Sequence, residues 1–287
     1  MMSDTLDLRS QVHLITGATS GIGLETARAL ARCGATVVVA ARDEEKARRL
    51  VAELRAETGN HAIDYLLANL TVQAEVRRLA AEFRARYDRL DVLINNAGGL
   101  YWSRQKSADA IDKTFALNHL APFLLTNLFL DLLQASAPAR VINVSSDMHR
   151  VAQLDLDHLA VETGYKAYAR SKLALVLFTY ELARRLEGTG VTAVALHPGF
   201  VATGIGMNHP WLKIFKWVVK LSAASPEQGA ETTVYLASSP DVAGQTGLYF
   251  RDKQPVRSAA ASYDLETARR LWDLSARMTG LNQEEPS

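Results

Sequence analysis

Tyr168 and Lys172 stand four residues apart in Tyr-Ala-Arg-Ser-Lys, at the start of a helical pattern that runs to about Leu186. Side chains at i and i+4 share a helix face, so their polar ends can reach the same ligand. A tyrosine with an ordinary pKa of about 10 exchanges protons poorly at neutral pH, and a nearby ammonium favours its phenolate. The pair is therefore a candidate acid/base. The same spacing arises wherever two amphipathic side chains lie on a solvated face, so it needs company. Val144-Ser145-Ser146 places hydroxyls at the end of a β-rich run, where one can hydrogen-bond a substrate oxygen; Ser146 ranks above Ser145. Asn95-Asn96-Ala97-Gly98 closes another such run, and its amides and small residues suit either close packing beside a ligand or a plain turn.

Thr16-Gly17-Ala18-Thr19-Ser20-Gly21-Ile22-Gly23 follows the first apolar run and opens a helical pattern. A dinucleotide pyrophosphate sits at such a junction, on exposed N–H groups and the positive helix end, and glycines let it approach the backbone. The spacing Gly-x-x-x-Gly-x-Gly departs from the general Gly-x-Gly-x-x-Gly fingerprint, so the strand before and the helix after carry the assignment. The second run ends Ala40-Ala41-Arg42. An acidic group here favours NAD, whereas the planar guanidinium of Arg42 suits a ribose phosphate and favours NADP(H), with NAD(H) still open. A solvated surface arginine is the plainer alternative. Asp43 precedes a helical run and fits an N-cap better than a ribose ligand.

These residues need a scaffold that gathers them. Val12–Thr16, Thr36–Ala41, Ile63–Leu67, Val92–Asn95, Arg140–Val144, Thr192–Leu196 and Leu248–Phe250 read as strands separated by gaps of helix length. Nearly continuous apolar strands alternating with helices imply a parallel sheet covered on both faces, with ligands beyond the carboxyl ends of the strands. The chain has 287 residues, 48% of them hydrophobic, enough for a substantial core. Its 32 basic and 31 acidic residues are mixed along the chain for a net charge of +1, so no field recruits nucleic acid. Cys33 is the only cysteine, which excludes an intramolecular disulfide and suits a reducing compartment. Residues 1–10 lack the apolar stretch of a signal peptide, and Leu117–Leu133 is interrupted by six polar residues or prolines, so the expectation is a cytoplasmic protein with no transmembrane anchor.

Through Thr16–Gly23, Asn95–Gly98, Asn118, Ser146, Tyr168 with Lys172, and Pro198-Gly199 followed by Val201 and Thr203, the chain closely resembles the short-chain dehydrogenase/reductase family over nearly its whole length. The resemblance implies one α/β domain over residues 1–287, a Rossmann-type doubly wound parallel sheet with helices on both faces. It implies that Ser146 polarises a substrate oxygen, Tyr168 transfers the proton, Lys172 binds nicotinamide ribose and activates Tyr168, and Asn118 supports a water relay. The nucleotide is then held by Gly17, Thr19, Ser20, Gly21, Ile22, Gly23, Arg42, Asn69, Leu70, Asn96, Ala97, Gly98, Pro198, Gly199, Val201 and Thr203. Asn69 stands where the family often has aspartate; its amide oxygen is expected to accept from the adenine amino group. Asn118-His119-Leu120, Ser145-Ser146-Asp147-Met148-His149, His197-Pro198-Gly199 and Trp272-Asp273-Leu274-Ser275 resemble the retinol-dehydrogenase-like branch, as does the 22-residue step from Ser146 to Tyr168. His119, His149 and His197 are read as packing or surface residues, and no metal site is expected.

The implied activity is NADP(H)-dependent interconversion of a carbonyl and an alcohol on a small apolar substrate. A catalytically silent nucleotide-binding regulator and a reductase of an activated carbon–carbon double bond are the rival readings on the same scaffold. Residues 204–225 break the strand–helix rhythm. There Trp211, Ile214, Phe215, Val218 and Leu221 recur at helical spacing opposite Lys213, Lys216 and Lys220, as a substrate lid, a subunit contact or a membrane-surface helix, in that order. Residues 252–287 are expected to be a C-terminal extension. A homodimer or homotetramer, by resemblance, uses the helices containing Asn118 and Tyr168.

Overall fold

The computed structural model describes residues 7–157, 163–199 and 225–281. Its strands are β1 (Val12–Thr16), β2 (Thr36–Ala41), β3 (Ile63–Leu67), β4 (Val92–Asn95), β5 (Ala139–Val144), β6 (Val191–His197), β7 (Leu248–Arg251) and β8 (Gln254–Val256). They form one sheet in the order β3-β2-β1-β4-β5-β6-β7-β8. Every pairing is parallel except β7 with β8. The order reverses direction between β1 and β4, which is where a doubly wound sheet opens a crevice for ligands.

The helices are α1 (Gly21–Arg32), α2 (Glu44–Thr58), α3 (Gln73–Arg86), α4 (Lys113–Phe115), α5 (Ala121–Leu128), α6 (Leu130–Ala135), α7 (Gly164–Arg185), α8 (Pro226–Ser238) and α9 (Leu265–Thr279). Successive strand residues point to opposite faces, so Leu14 and Val38 enter a core with Phe83, Phe123 and Phe178, while Ile15, Val37 and Val39 enter a second with Leu30, Leu54 and Leu236. The sheet is thus covered on both sides, as its apolar strands require. Local signals place the helix ends. The Asp43 carboxylate accepts from the Lys46 amide as the N-cap of α2, and Gly59 closes that helix at φ 69°.

Three features go beyond what the sequence announces. Residues 252–281 pack on the domain: a two-residue turn at Asp252-Lys253, both at positive φ, folds β8 back onto β7. Ala116–Leu120 is a π-helical turn between α4 and α5, which no periodicity announces. And α9 packs on α5 and α7. Ala268, Leu271, Ser275 and Ala276 are buried along one side of α9, and Trp272 packs on Phe123 of α5 and Phe178 of α7 at ring separations of 5.0 and 5.8 Å. The Arg185 guanidinium covers that indole at 4.1 Å, and His119 Nε2 meets Ser275 Oγ at 2.8 Å. Helix α9 thus buries part of α5 and α7 within one chain. No helix among the described residues is long and apolar enough to cross a membrane.

A chain of buried amides and hydroxyls ties the sheet to the helices that carry the candidate chemistry. Asn95 Nδ2 on β4 donates to Thr126 Oγ1 on α5 at 3.2 Å and to Asn143 Oδ1 on β5 at 2.8 Å. Asn143 Nδ2 then donates to Thr179 Oγ1 on α7 at 2.9 Å. All four residues are buried, so removing one strands its partners. Asn143→Ala is expected to destabilise the fold by about 1–3 kcal/mol. Combining it with Asn95→Ala should cost less than the sum of the two single changes, since they share a bond. Urea unfolding midpoints of the three variants measure both effects.

Candidate active site

Each sequence-predicted residue that is described lies in the loop after a strand or on the helix that follows, along one edge of the sheet. Gly17, Thr19 and Ser20 connect β1 to α1, and Gly21, Ile22 and Gly23 open that helix; Arg42 follows β2; Asn69 and Leu70 follow β3; Asn96, Ala97 and Gly98 follow β4. Asn118 sits in the π-helical turn, Ser146 follows β5, Tyr168 and Lys172 are on α7, and Pro198 and Gly199 follow β6. Val201, Thr203 and the lid segment 204–224 lie outside the described residues, and Ser225 appears only as the N-cap of α8.

The glycine loop fits a phosphate. Gly17 and Gly21 hold φ values of 68° and 59°, so the backbone turns sharply into α1. Ser20 is exposed at the N-cap but makes no side-chain cap bond, and the first turn of α1 carries no acidic residue. Its N–H groups are thus left for an anion, and the helix dipole points the right way. Gly17 and Gly23 have a different purpose from ligand approach. A Cβ on Gly17 would meet Ala97 Cα at 2.8 Å, and one on Gly23 would meet the Gly17 carbonyl at 2.6 Å and press on the Asn96 amide. Asn96 Nδ2 donates to the carbonyls of Thr16 (2.8 Å) and Gly17 (3.1 Å), while Thr16 Oγ1 accepts from the Asn96 and Ala97 amides, both at 3.0 Å. The β4 turn is thereby stitched into the phosphate loop.

Around the adenosine end, Arg42 is exposed and has no hydrogen bond or ion pair among the described residues. Its charge acts on the half-buried Tyr101 phenol, opposing the rise that burial causes there. Asn69 is engaged within its own turn. Its Oδ1 accepts from the Thr71 amide at 3.2 Å and the Thr71 hydroxyl at 2.9 Å, which uses both lone pairs locally. Its Nδ2 is a donor, and Leu70 packs against the core.

At the reacting end, Tyr168 and Lys172 are 9% and 3% exposed. The Lys172 ammonium donates to the Val144 carbonyl at 2.8 Å and lies 5.6 Å from the Tyr168 ring centroid. Burial drives both away from their charged forms: Lys172 falls to about 8, and Tyr168 rises to about 12, the latter pulled back by a hydrogen bond with the Ser146 side chain. Desolvation sets the direction for Tyr168, opposed by Ser146, and the ammonium expected to lower it is engaged by the Val144 carbonyl. The resting tyrosine is the protonated, donating form. Ser145 is buried and donates to the Lys172 carbonyl at 3.1 Å, a structural role that matches its lower rank.

The Asn118 side chain is held by the turn after β4 and by α7. Its Oδ1 accepts from the Gly99 amide at 2.8 Å, and its Nδ2 donates to the Gly99 carbonyl and Ser171 Oγ, each at 2.9 Å. It positions the turn after β4, where a Cβ on Gly98 would stand 3.3 Å from Lys172 Nζ. Sequence reading missed this positioning, since the π-helical turn that aims the amide is a tertiary feature. His119, on the same turn, is fully buried and held neutral, its pKa lowered to about 3 by desolvation, consistent with a packing role.

The model of the short chain dehydrogenase family matches residues 11–211. Human retinol dehydrogenase 13 is 42% identical over 96% of this chain and 85% of its own length, and mouse retinol dehydrogenase 14 is 41% identical over 96% and 87%. Human polyprenol dehydrogenase is 38% identical over 94% and 86%. Among solved structures, an uncharacterized protein from Mycobacterium paratuberculosis superposes with a TM-score of 0.79 at 32% identity, covering 96% of both chains. The Pseudomonas aeruginosa RhlG/NADP active-site complex gives 0.71 at 28% identity, covering 87% of this chain and 97% of the other. With a phosphate-ready α1 terminus, a buried Tyr168–Lys172 pair at the carboxyl edge and this kinship over nearly its whole length, the chain belongs to the short chain dehydrogenase family, in its retinol-dehydrogenase-like branch, a family of pyridine-nucleotide oxidoreductases.

Proposed function

We propose that the protein interconverts a carbonyl and an alcohol on a small apolar molecule, with NADP(H) preferred over NAD(H). The observation that carries this reading is the contact of the Ser146 and Tyr168 side chains beside a buried ammonium. The bound nicotinamide would supply or accept the hydride. In reduction, Ser146 donates a hydrogen bond to the substrate oxygen and Tyr168 gives that oxygen its proton. The phenol is protonated at rest, so it is ready in that direction. As negative charge grows on the phenol oxygen, Lys172, in a site with little water, stabilises it. Alcohol oxidation runs the same transfers backwards. Gly17, Thr19, Ser20, Gly21, Ile22 and Gly23 would hold the pyrophosphate, Arg42 the ribose phosphate, and Asn96–Gly98 with Pro198, Gly199, Val201 and Thr203 the nicotinamide side. Asn69 would offer adenine its Nδ2 donor rather than its oxygen.

Tyr168→Phe keeps the packed ring and removes the transferable proton, so kcat should fall by about 10²- to 10⁴-fold while nucleotide affinity stays near wild type. Stopped-flow NADPH oxidation with a panel of aldehydes and ketones, beside a fluorescence titration of NADPH, measures both; full turnover in the variant would sink the mechanism. Lys172→Ala should weaken affinity and turnover together.

Arg42→Ala removes a charged hydrogen bond worth about 1.5–3 kcal/mol, so NADPH affinity should drop by about 10- to 150-fold while NADH affinity barely changes. Titration of both nucleotides into wild type and variant reads the difference, and equal wild-type affinities would overturn the NADP preference.

A further inference from the structure

Three residues after Ser146, His149 is fully buried and both of its ring nitrogens are engaged. Its Nδ1 lies 2.7 Å from the Ser146 carbonyl oxygen, which also accepts the His149 backbone amide at 3.1 Å. Its Nε2 lies 3.0 Å from the backbone nitrogen of Ala259. A backbone amide can only donate, so Nε2 is the acceptor and the ring proton sits on Nδ1, aimed at the carbonyl. The tautomer is therefore written by a residue 110 positions away.

The segment that supplies this amide is itself anchored. The Ser258 hydroxyl bonds Tyr180 Oη on α7 and Ser262 Oγ, each at 2.6 Å, and Arg150 Nη2 donates to the Arg257 carbonyl at 2.8 Å. On the other side of the turn, Asp147 receives the Tyr249 hydroxyl and the Arg251 guanidinium, both at 3.2 Å. The Ser146 hydroxyl, which meets Tyr168, projects from a backbone held at both neighbours. Resting on the carbonyl–alcohol reading above, we propose that His149 is a positioning residue for Ser146, kept in its Nδ1–H form by the Ala259 amide, so that the C-terminal segment sets the reactive hydroxyl.

Protonation would place a second N–H opposite the Ala259 amide and break this arrangement. The groups facing His149 are Asp147 and Arg150 on its own turn, His197 on β6 and Tyr249 on β7, with Arg251 of β7 bonded to Asp147. Burial holds the His149 pKa below its ordinary value, so the neutral form persists at neutral pH and is lost as pH falls. His197 has the same direction of shift, which makes His197→Asn the necessary control.

The test uses full-length protein with NADPH and dodecanal. His149→Phe keeps the volume and loses both ring contacts; kcat should fall about 2- to 10-fold with the KM for NADPH unchanged. His149→Asn, which can return an N–H near the position of Nδ1, should recover part of the loss, and the acid limb of the wild-type kcat profile should disappear in it but persist in His197→Asn. Ala259 has φ −61°, already that of proline, so Ala259→Pro deletes the amide donor without straining that dihedral. In ¹⁵N-histidine spectra, wild type should show His149 as the Nδ1–H tautomer and Ala259→Pro a mixture. A wild-type Nε2–H tautomer, or an acid limb retained in His149→Asn, overturns the proposal. Should wild type reduce none of the carbonyl panel, the carbonyl–alcohol reading fails by itself. The Ser146 Cβ resonance then decides: a shift in His149→Phe supports the positioning role, and an unmoved signal overturns it.

Discussion

Burying the Lys172 ammonium is the constraint around which the reactive end is organised. A cation at 3% exposure costs several kcal/mol unless it is compensated, and the described partner is the Val144 carbonyl at 2.8 Å. That carbonyl is available because β5 ends there: Ser145 still bonds Leu196 in the sheet, and the chain then leaves it. Helix α7 must therefore dock with its fifth and ninth residues against the end of one strand. The docking is fixed from several sides, by Ser145 on the Lys172 carbonyl, by Asn143 on Thr179 and by the apolar face shared with α9. An ammonium with few partners is also easily drawn to a new negative charge, which is what proton loss from Tyr168 creates.

The same economy governs the phosphate loop. Its glycines look like an open invitation to a ligand, yet two of them are closed by the protein. Gly17 and Gly23 yield room to Ala97 and Asn96, so the turn after β4 and the turn after β1 become one rigid body at the point where the strand order reverses. The unused N–H groups of α1 are left facing outward. Close packing of the backbone and an exposed helix terminus are thus two halves of one arrangement: the first holds the second still, and a preorganised donor set loses little entropy when it binds.

What was legible in the sequence follows from range. Strands β1 to β7 were readable because parallel strands buried on both faces are runs of Val, Ile, Leu and Ala, and the edge they present follows from the alternation. The Tyr168–Lys172 spacing was readable because helical period is local. The Asp43 cap was equally local, one carboxylate three residues from its amide. By contrast, the spacing of the pair says nothing of the desolvation that raises the Tyr168 pKa, since burial depends on everything packed around it. Asn69 is similar: Thr71, two residues on, bonds its oxygen, a contact that only the turn geometry shows. Strand β8 hides behind Pro255, tolerated because β8 is an edge with a single neighbour.

The largest illegible part is the C-terminal segment, and it changes how the site is understood. Composition gives residues 252–287 no special mark, and a tail after the last parallel strand reads as an extension. In the fold it covers the outer face of α5 and α7 with Trp272 and places Ser275 on His119, next to the Asn118 that braces Gly99. Its connecting turn puts the Ala259 amide on His149. Two histidines that look like packing residues in the sequence are therefore the points where this segment reaches the two sides of the reactive centre. Both have pKa values lowered by burial; His149 donates at one nitrogen and accepts at the other, while His119 is engaged at Nε2. A cationic lysine or arginine in either place would only donate, and an apolar residue would do neither. The segment acts on the chemistry without contributing a reacting group, by deciding where a hydroxyl and a backbone turn stand.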